Sequence, residues 1–293
     1  RRTKTDSVDC ESIARWLMTV EYKPHSKGFY HAYSLKSLTR LRDKLIRQRS
    51  FYLVKITNVL DHTFPEFKPF FNERLSKTAL YLLENYGSAE KMARMNSASY
   101  EKLRSLSRGK FSPQQFLRLK ELAVNTVGVN NSIFFVYLNS LLSLYKSLVK
   151  EIDTIKKEIN QLIEEVHPHY MSVPGIGPLS AAVIYSEYGD ISNFTNPGQM
   201  LAFAGIEPGI NESGTECLGG KVVKSGSSQP RYTHFKCFLA LVRWGMTFAT
   251  YYAKKRGEGK PHRVAITHVA KKLIRVIYAL ESQDIDFNAQ ELR

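Results

Sequence analysis

The stretch PGIGPLSAAVIYSEYG, Pro174–Gly189, decides how this chain is read. Gly175-Ile176-Gly177 sits in a tight turn, and an alanine-rich helix follows it. A turn of this kind leaves backbone N–H groups free at a helix N-terminus, where they can point at a phosphate. The pattern is the helix-hairpin-helix signature, which holds a nucleic-acid backbone without reading its sequence. Glycines that merely permit a positive φ would give the same letters. The charge balance favours the phosphate reading.

Upstream, the texture is helical. Leu38, Leu41, Leu45, Tyr52, Ile56 and Val59 recur at threes and fours, which predicts a long amphipathic helix ended by Pro65 and Pro69. Residues 1–25 read as a helix with Val8, Ile13, Ala14 and Leu17 on one face, and residues 26–36 as an aromatic loop. Residues 70–127 break into short helices at GSAE and SRGKFSP. Next, Leu141, Leu144, Leu148, Ile152, Ile155, Ile159, Leu162 and Val166 form a stripe that fits a coiled coil or an ordinary bundle helix equally. His167 and His169 flank Pro168 and read as solvated.

Downstream of Tyr170, ESGTECLGGKVVKSGSSQPR (Glu212–Arg231) packs glycine, serine and lysine together and is expected to be an irregular loop. A helix from about Thr233 to Lys255, a glycine-lysine turn and a last helix, HRVAITHVAKKLIRVIYALES, complete the chain. The expectation is a mainly α protein in three parts: residues 1–36, a helical or coiled-coil region 37–169, and a C-terminal domain 170–293.

The 293 residues carry 42 Lys+Arg against 27 Asp+Glu, a formal charge of +15. A surplus of that size points to a polyanion, and nucleic acid is the usual one. With 43% hydrophobic residues the composition is globular and excludes a disordered tail. Three cysteines without a C-x-x-C fit neither a disulfide framework nor a zinc site, which suggests a reducing compartment. The most apolar run contains Asn139, Ser140, Ser143 and Lys146, too polar for a membrane span. The expected location is the cytoplasm of a bacterium or archaeon, with no membrane contact.

Several residues could carry chemistry. Asp6 and Asp9, three apart at a helix start, fall on one face, where paired carboxylates can hold Mg²⁺ against phosphate oxygens; capping explains such aspartates as well. The loop offers hydroxyls at Ser213, Thr215, Ser225, Ser227 and Ser228, with positive charge from Lys221, Lys224 and Arg231. A serine that attacks a phosphodiester needs such charge nearby, yet spacing alone does not separate these serines from a flexible surface loop. In the last helix, Lys271, Lys272 and Arg275 form a basic stripe opposite Val269, Leu273, Ile277 and Leu280. That stripe is either a solvated face or a phosphate contact.

Six blocks stand in order: KTDSVDCESIA, the coiled-coil stripe, PGIGPLSAAVIYSEYGD, QMLAFAGIEPGINESGT, KSGSSQPR and GKPHRVAITHVAKKLIRVIY. Together they resemble the insertion-sequence 110 transposases, the DEDD-type relatives of the Piv invertases, over nearly the whole chain. The resemblance implies an RNase-H-like, RuvC-like domain whose closing part is here, then a coiled coil, then a transposase domain with a serine nucleophile. In the K-T-D-x-x-D block it makes Asp6 and Asp9 the third and fourth acidic metal ligands, with Cys10 in place of the usual alanine. After A-G-x-x-P, the Ser-Gly pair makes Ser213 the nucleophile; Lys224, Gly226 and Arg231 match the K-x-G block, and Pro230 departs from it.

The strands with the first two acidic ligands would precede Arg1, so an N-terminally truncated sequence is expected. Half a Mg²⁺ site would remain, and these residues alone would be inactive in metal-dependent cleavage. The implied partners are DNA, a structured non-coding guide RNA, and further copies of the chain in a homodimer or tetramer. The competing readings are a non-catalytic DNA-binding remnant and a coiled-coil scaffold.

Overall fold

The computed structural model describes residues 6–19, 27–72, 75–205, 208–213, 216–222 and 246–288. The chain is mainly helical, as expected. It divides into two compact units, residues 40–158 and residues 1–39 with 159–293. The first and third of the three expected parts fall together in one unit.

The unit of residues 40–158 takes most of α2 (Lys27–Thr63) and α8 (Ser132–Val166). Between them lie α3 (Phe67–Phe70), α4 (Lys77–Asn85), α5 (Ala89–Ala93), α6 (Ser97–Leu106) and α7 (Pro113–Val124). Ile56 and Leu60 of α2, Phe67, Leu82, Met92, Leu103 and Leu119 of the short helices, and Leu138 and Leu142 of α8 share one core. Each of α4 to α7 begins with a side chain that accepts a backbone N–H: Ser76, Ser88, Asn96 and Ser112. Ser112 and Gln115 form a reciprocal capping box. These caps explain how helices of five to twelve residues persist.

The α7–α8 connection is fixed on the end of α2. Val129 donates its N–H to His62 O at 2.8 Å. The Glu66 carboxylate accepts from Thr126 Oγ1 and Val127 N. Gly128 lies so close that a Cβ there would stand 2.2 Å from Thr63 O.

Burial along α8 departs from the expected stripe. Leu141, Ile152, Ile155, Ile159 and Ile163 are buried within the chain itself, while Leu144 is 47% exposed. Leu141, Ile152 and Ile163 step by elevens, close to the natural period of a straight helix rather than a heptad. This part of the stripe is already covered by the chain and leaves those residues no free seam for a second copy. α8 has the length and composition to cross a membrane. Its apolar residues Leu138, Leu141 and Leu142 instead pack in the core.

The other unit holds α1 (Asp6–Thr19), the start of α2 and the end of α8. A 3-10 turn (His169–Ser172) leads into α9 (Pro178–Tyr188), then α10 (Pro197–Phe203). Strands β1 (Pro208–Ser213) and β2 (Glu216–Val222), α11 (Met246–Gly257) and α12 (His262–Gln283) follow. α12 is the hub: α10, α11, the 3-10 turn at His169–Ser172 and a second one at Ile191–Asn193 all pack on it. Val269, Leu273, Ile277 and Leu280 are buried as expected, joined by Ala265, Ile266, Ala270 and Ile274. The apolar face read on α1 is uncovered among the described residues, with Ile13 and Leu17 exposed.

Two expectations are corrected. Residues 27–36 are not a loop but the first turns of α2. No proline interrupts them, Leu35 is fully buried, and Lys36 reaches Glu187 of α9 at 3.6 Å. Aromatic residues here had suggested a loop, yet their content says little about backbone. The segment expected to be irregular opens as an antiparallel hairpin, with Ile210 opposite Gly219 and Ser213 opposite Glu216. Only Gly214 and Thr215 separate the strands, the length of the commonest hairpin connection, and glycine-rich composition had masked the pairing.

Candidate functional site

The Gly175 turn is built by burial beneath it. Tyr170 is fully buried; its hydroxyl donates to Ala181 O at 3.3 Å and its N–H to the Glu281 carboxylate at 3.2 Å. Burial pushes the Tyr170 phenol well above its usual value, so it stays neutral and a donor. His169, expected to be solvated, is partly exposed and carries two carboxylate partners. Its Nδ1 lies 3.0 Å from Asp286 and its Nε2 2.9 Å from Asp284, and these bonds, Asp286 first, raise its pKa. Ser172 Oγ accepts from Phe287 N. The turn is thus tied to α12 and to the segment after it.

Gly175 has φ 103, a conformation that favours glycine, and Ile176 plugs into the core. Gly177 is different. It caps α9 with φ −81 and ψ 170, open to any residue, and a Cβ there would meet nothing within 4 Å. Neither backbone nor packing requires glycine at 177. No side chain caps α9, and Pro178 has no N–H, so no side chain satisfies the remaining first-turn donors of this helix. Gly175 and Gly177 are both exposed.

A second feature lies between α11 and α12. Tyr251, His268, Lys271, Lys272 and Arg275 line one groove. The three predicted cations therefore come together, and none has an ion-pair partner among the described residues. Lys272 Nζ sits 4.9 Å from the Tyr251 ring centre and Lys255 Nζ 5.5 Å. Burial first, and then Lys260, Lys255 and Lys271, lower the pKa of His268, which reports the positive field of the cluster. The nearby acid, Glu258, is taken by Lys255, which holds its carboxyl below the ordinary value. The connecting turn is pinned by Tyr252 to His262 at 2.7 Å and by Arg256 to Lys260 O at 2.8 Å.

Sequence reasoning missed Tyr251 and His268. His268 stands three residues before Lys271, on the same helical face, and that spacing could have found it. Tyr251 joins only through helix packing, and no local signal marks it.

Ser213 ends β1 at the hairpin tip. Lys221 falls within β2. Lys224 and Arg231, with Ser225, Ser227 and Ser228, lie outside the described residues, as does the expected start of a helix near Thr233. Asp6 begins α1 and Asp9 is exposed on its first turn. Among the described residues no group of three His, Cys, Asp or Glu is placed to hold a metal ion. Two carboxylates are fewer oxygen ligands than Mg²⁺ takes, so Asp6 and Asp9 would need further ligands to hold it.

Comparison with known proteins places these features. Residues 1–65 match the DEDD-type transposases of IS110, and residues 168–253, which include the Gly175 turn and the Ser213 hairpin, match the family described as Transposase IS116/IS110/IS902. The class defined by the two matches is a transposase. The chain carries two transposase domains of the IS110/IS116 family. It is 28% identical, over 94% of its length and 70% of the relative's, to the 43.6 kDa protein of insertion element IS110 from Streptomyces coelicolor. It is 25% identical, over 94% and 71%, to the 42 kDa protein of IS900 from Mycobacterium paratuberculosis. A probable family 20 transposase from Pseudomonas aeruginosa is 26% identical over 48% of this chain and 45% of its own.

Proposed function

We propose that the chain acts in DNA strand exchange of an insertion element, with Ser213 as nucleophile. The observation that carries this reading is that Ser213, directly followed by Gly214, lies at a hairpin tip inside a segment matched to the transposase family. In the step, Ser213 Oγ forms a bond to a DNA phosphorus as its proton leaves. The bond to a sugar oxygen breaks, and that oxygen takes up a proton. A covalent phosphoserine holds the strand until a second hydroxyl reverses the reaction. Lys221, Lys224 and Arg231 supply positive charge for the phosphorane that forms in between.

The DNA backbone is held at the Gly175–Gly177 turn, read as the hairpin of a helix-hairpin-helix, and by Lys271, Lys272 and Arg275. Asp6 and Asp9, as the end of a RuvC-like domain, would offer two carboxylates to Mg²⁺, which assists phosphoryl transfer when bound. Sequence choice would fall to a guide RNA through base pairing, and assembly to a homodimer or tetramer in the cytoplasm.

The test is Ser213→Ala in a recombination assay on element-end DNA, with a denaturing gel for the protein–DNA adduct. Both products should disappear. Recombination that persists at the wild-type rate removes Ser213 from the mechanism.

A further inference from the structure

The unit of residues 40–158 contributes nothing to that chemistry, yet it carries 21 lysines and arginines against 11 aspartates and glutamates, +10 of the chain's +15. Part of this charge surrounds an aromatic groove. Phe70 and Phe71, at the end of α3, are only partly buried by the core. Phe70 stands edge-on to Phe71 at 4.9 Å and to Phe111 at 6.2 Å. Asn72, with φ 51, turns the chain away beside them. Lys77 and Lys110 line the groove on one side of Phe70, and Arg118 lines it on the other. Phe70, Asn72 and Gln115 line both hollows, which therefore adjoin.

All three cations are exposed, and none has an ion-pair partner among the described residues. The carboxylate among the described lining residues, Glu66, is occupied by Thr126 Oγ1 and Val127 N. Among the described residues no carboxylate neutralises these three cations around partly open rings. A ligand with phosphates and flat apolar faces satisfies both. Duplex nucleic acid hides its base faces in the stack; a single strand presents them.

We propose that this groove binds single-stranded nucleic acid, with phosphates on Lys77, Lys110 and Arg118 and a base against Phe70 and Phe71. Single-stranded DNA and RNA share this chemistry, and the proposal is independent of the role of Ser213.

The test measures anisotropy of labelled 12-nucleotide oligothymidylate, oligouridylate and a duplex of equal length with the full chain. Lys110→Glu with Arg118→Glu should weaken single-strand binding about tenfold or more and flatten its salt dependence. Phe70→Leu, which keeps an apolar side chain in place, should weaken it about fivefold or more and leave the duplex within twofold. Thermal melts that match wild type establish that both variants fold. Ser213→Ala should leave all these affinities unchanged, which separates this outcome from that of the nucleophile. Single-strand affinities within twofold of wild type in both variants overturn the proposal. So does an equal loss for single strand and duplex in Phe70→Leu.

Discussion

Helices α4 to α7 of the 40–158 unit start differently from α9 and α12 of the other unit, whose α10 is capped by Asn196 as α4 to α7 are capped. α4, α5, α6 and α7 each close their first turn with a side chain, Ser76, Ser88, Asn96 or Ser112. α9 and α12 begin at Gly177 and Pro261 with no side-chain cap. A cap satisfies donors that would otherwise seek water or a ligand. The first group is thus finished internally, and the second leaves donors available. Helix starts that stay open in a basic protein are where a phosphate is expected.

That contrast can be broken or sharpened by experiment. The largest effect is expected from Gly128→Ala, which drives a Cβ into backbone at Thr63 and should lower unfolding free energy by about 1–3 kcal/mol in urea denaturation. Gly177→Ala, with open space around it, should leave stability near wild type and weaken DNA binding instead. An equal loss of stability at the two glycines would end the distinction.

Ser112→Ala removes a capping box and should cost about 1 kcal/mol, read in the same denaturation experiment. Replacing Lys271 or Arg275 with alanine should leave the melt unchanged and reduce the slope of log affinity against log salt by about one each.

The smallest effect concerns His169. Its folded pKa is raised above the unfolded value, so the stabilisation is fully present below about pH 6.5 and is lost as the pH rises through the folded value. Melting temperatures of wild type and His169→Gln should differ most in acid and converge in alkali. A constant difference across pH assigns His169 a packing role only.

The legible parts of the sequence are those whose cause is local. Val269, Leu273 and Ile277 repeat at helical spacing, and α12 buries them; Gly175 stands where φ is positive. What was hidden depends on pairing or packing that no single residue announces. The β1–β2 hairpin needs pairing across Gly214-Thr215 in a segment poor in strand formers. The start of α2 is set by Leu35 and by Lys36 meeting Glu187, far away in sequence. Tyr251 enters the basic groove only because α11 packs on α12. For the candidate site, Lys271, Lys272 and Arg275 were visible as a helical face, but their shared groove was not.

The contacts of His169 with Asp284 and Asp286, and of Ser172 with Phe287, have a genetic consequence. A stop codon at Asp284 would delete no described helix and none of the cations discussed here. It would still unbuckle the strap under the Gly175 turn. A frameshift at the Asp284 codon should therefore loosen the Gly175 turn while sparing every described helix.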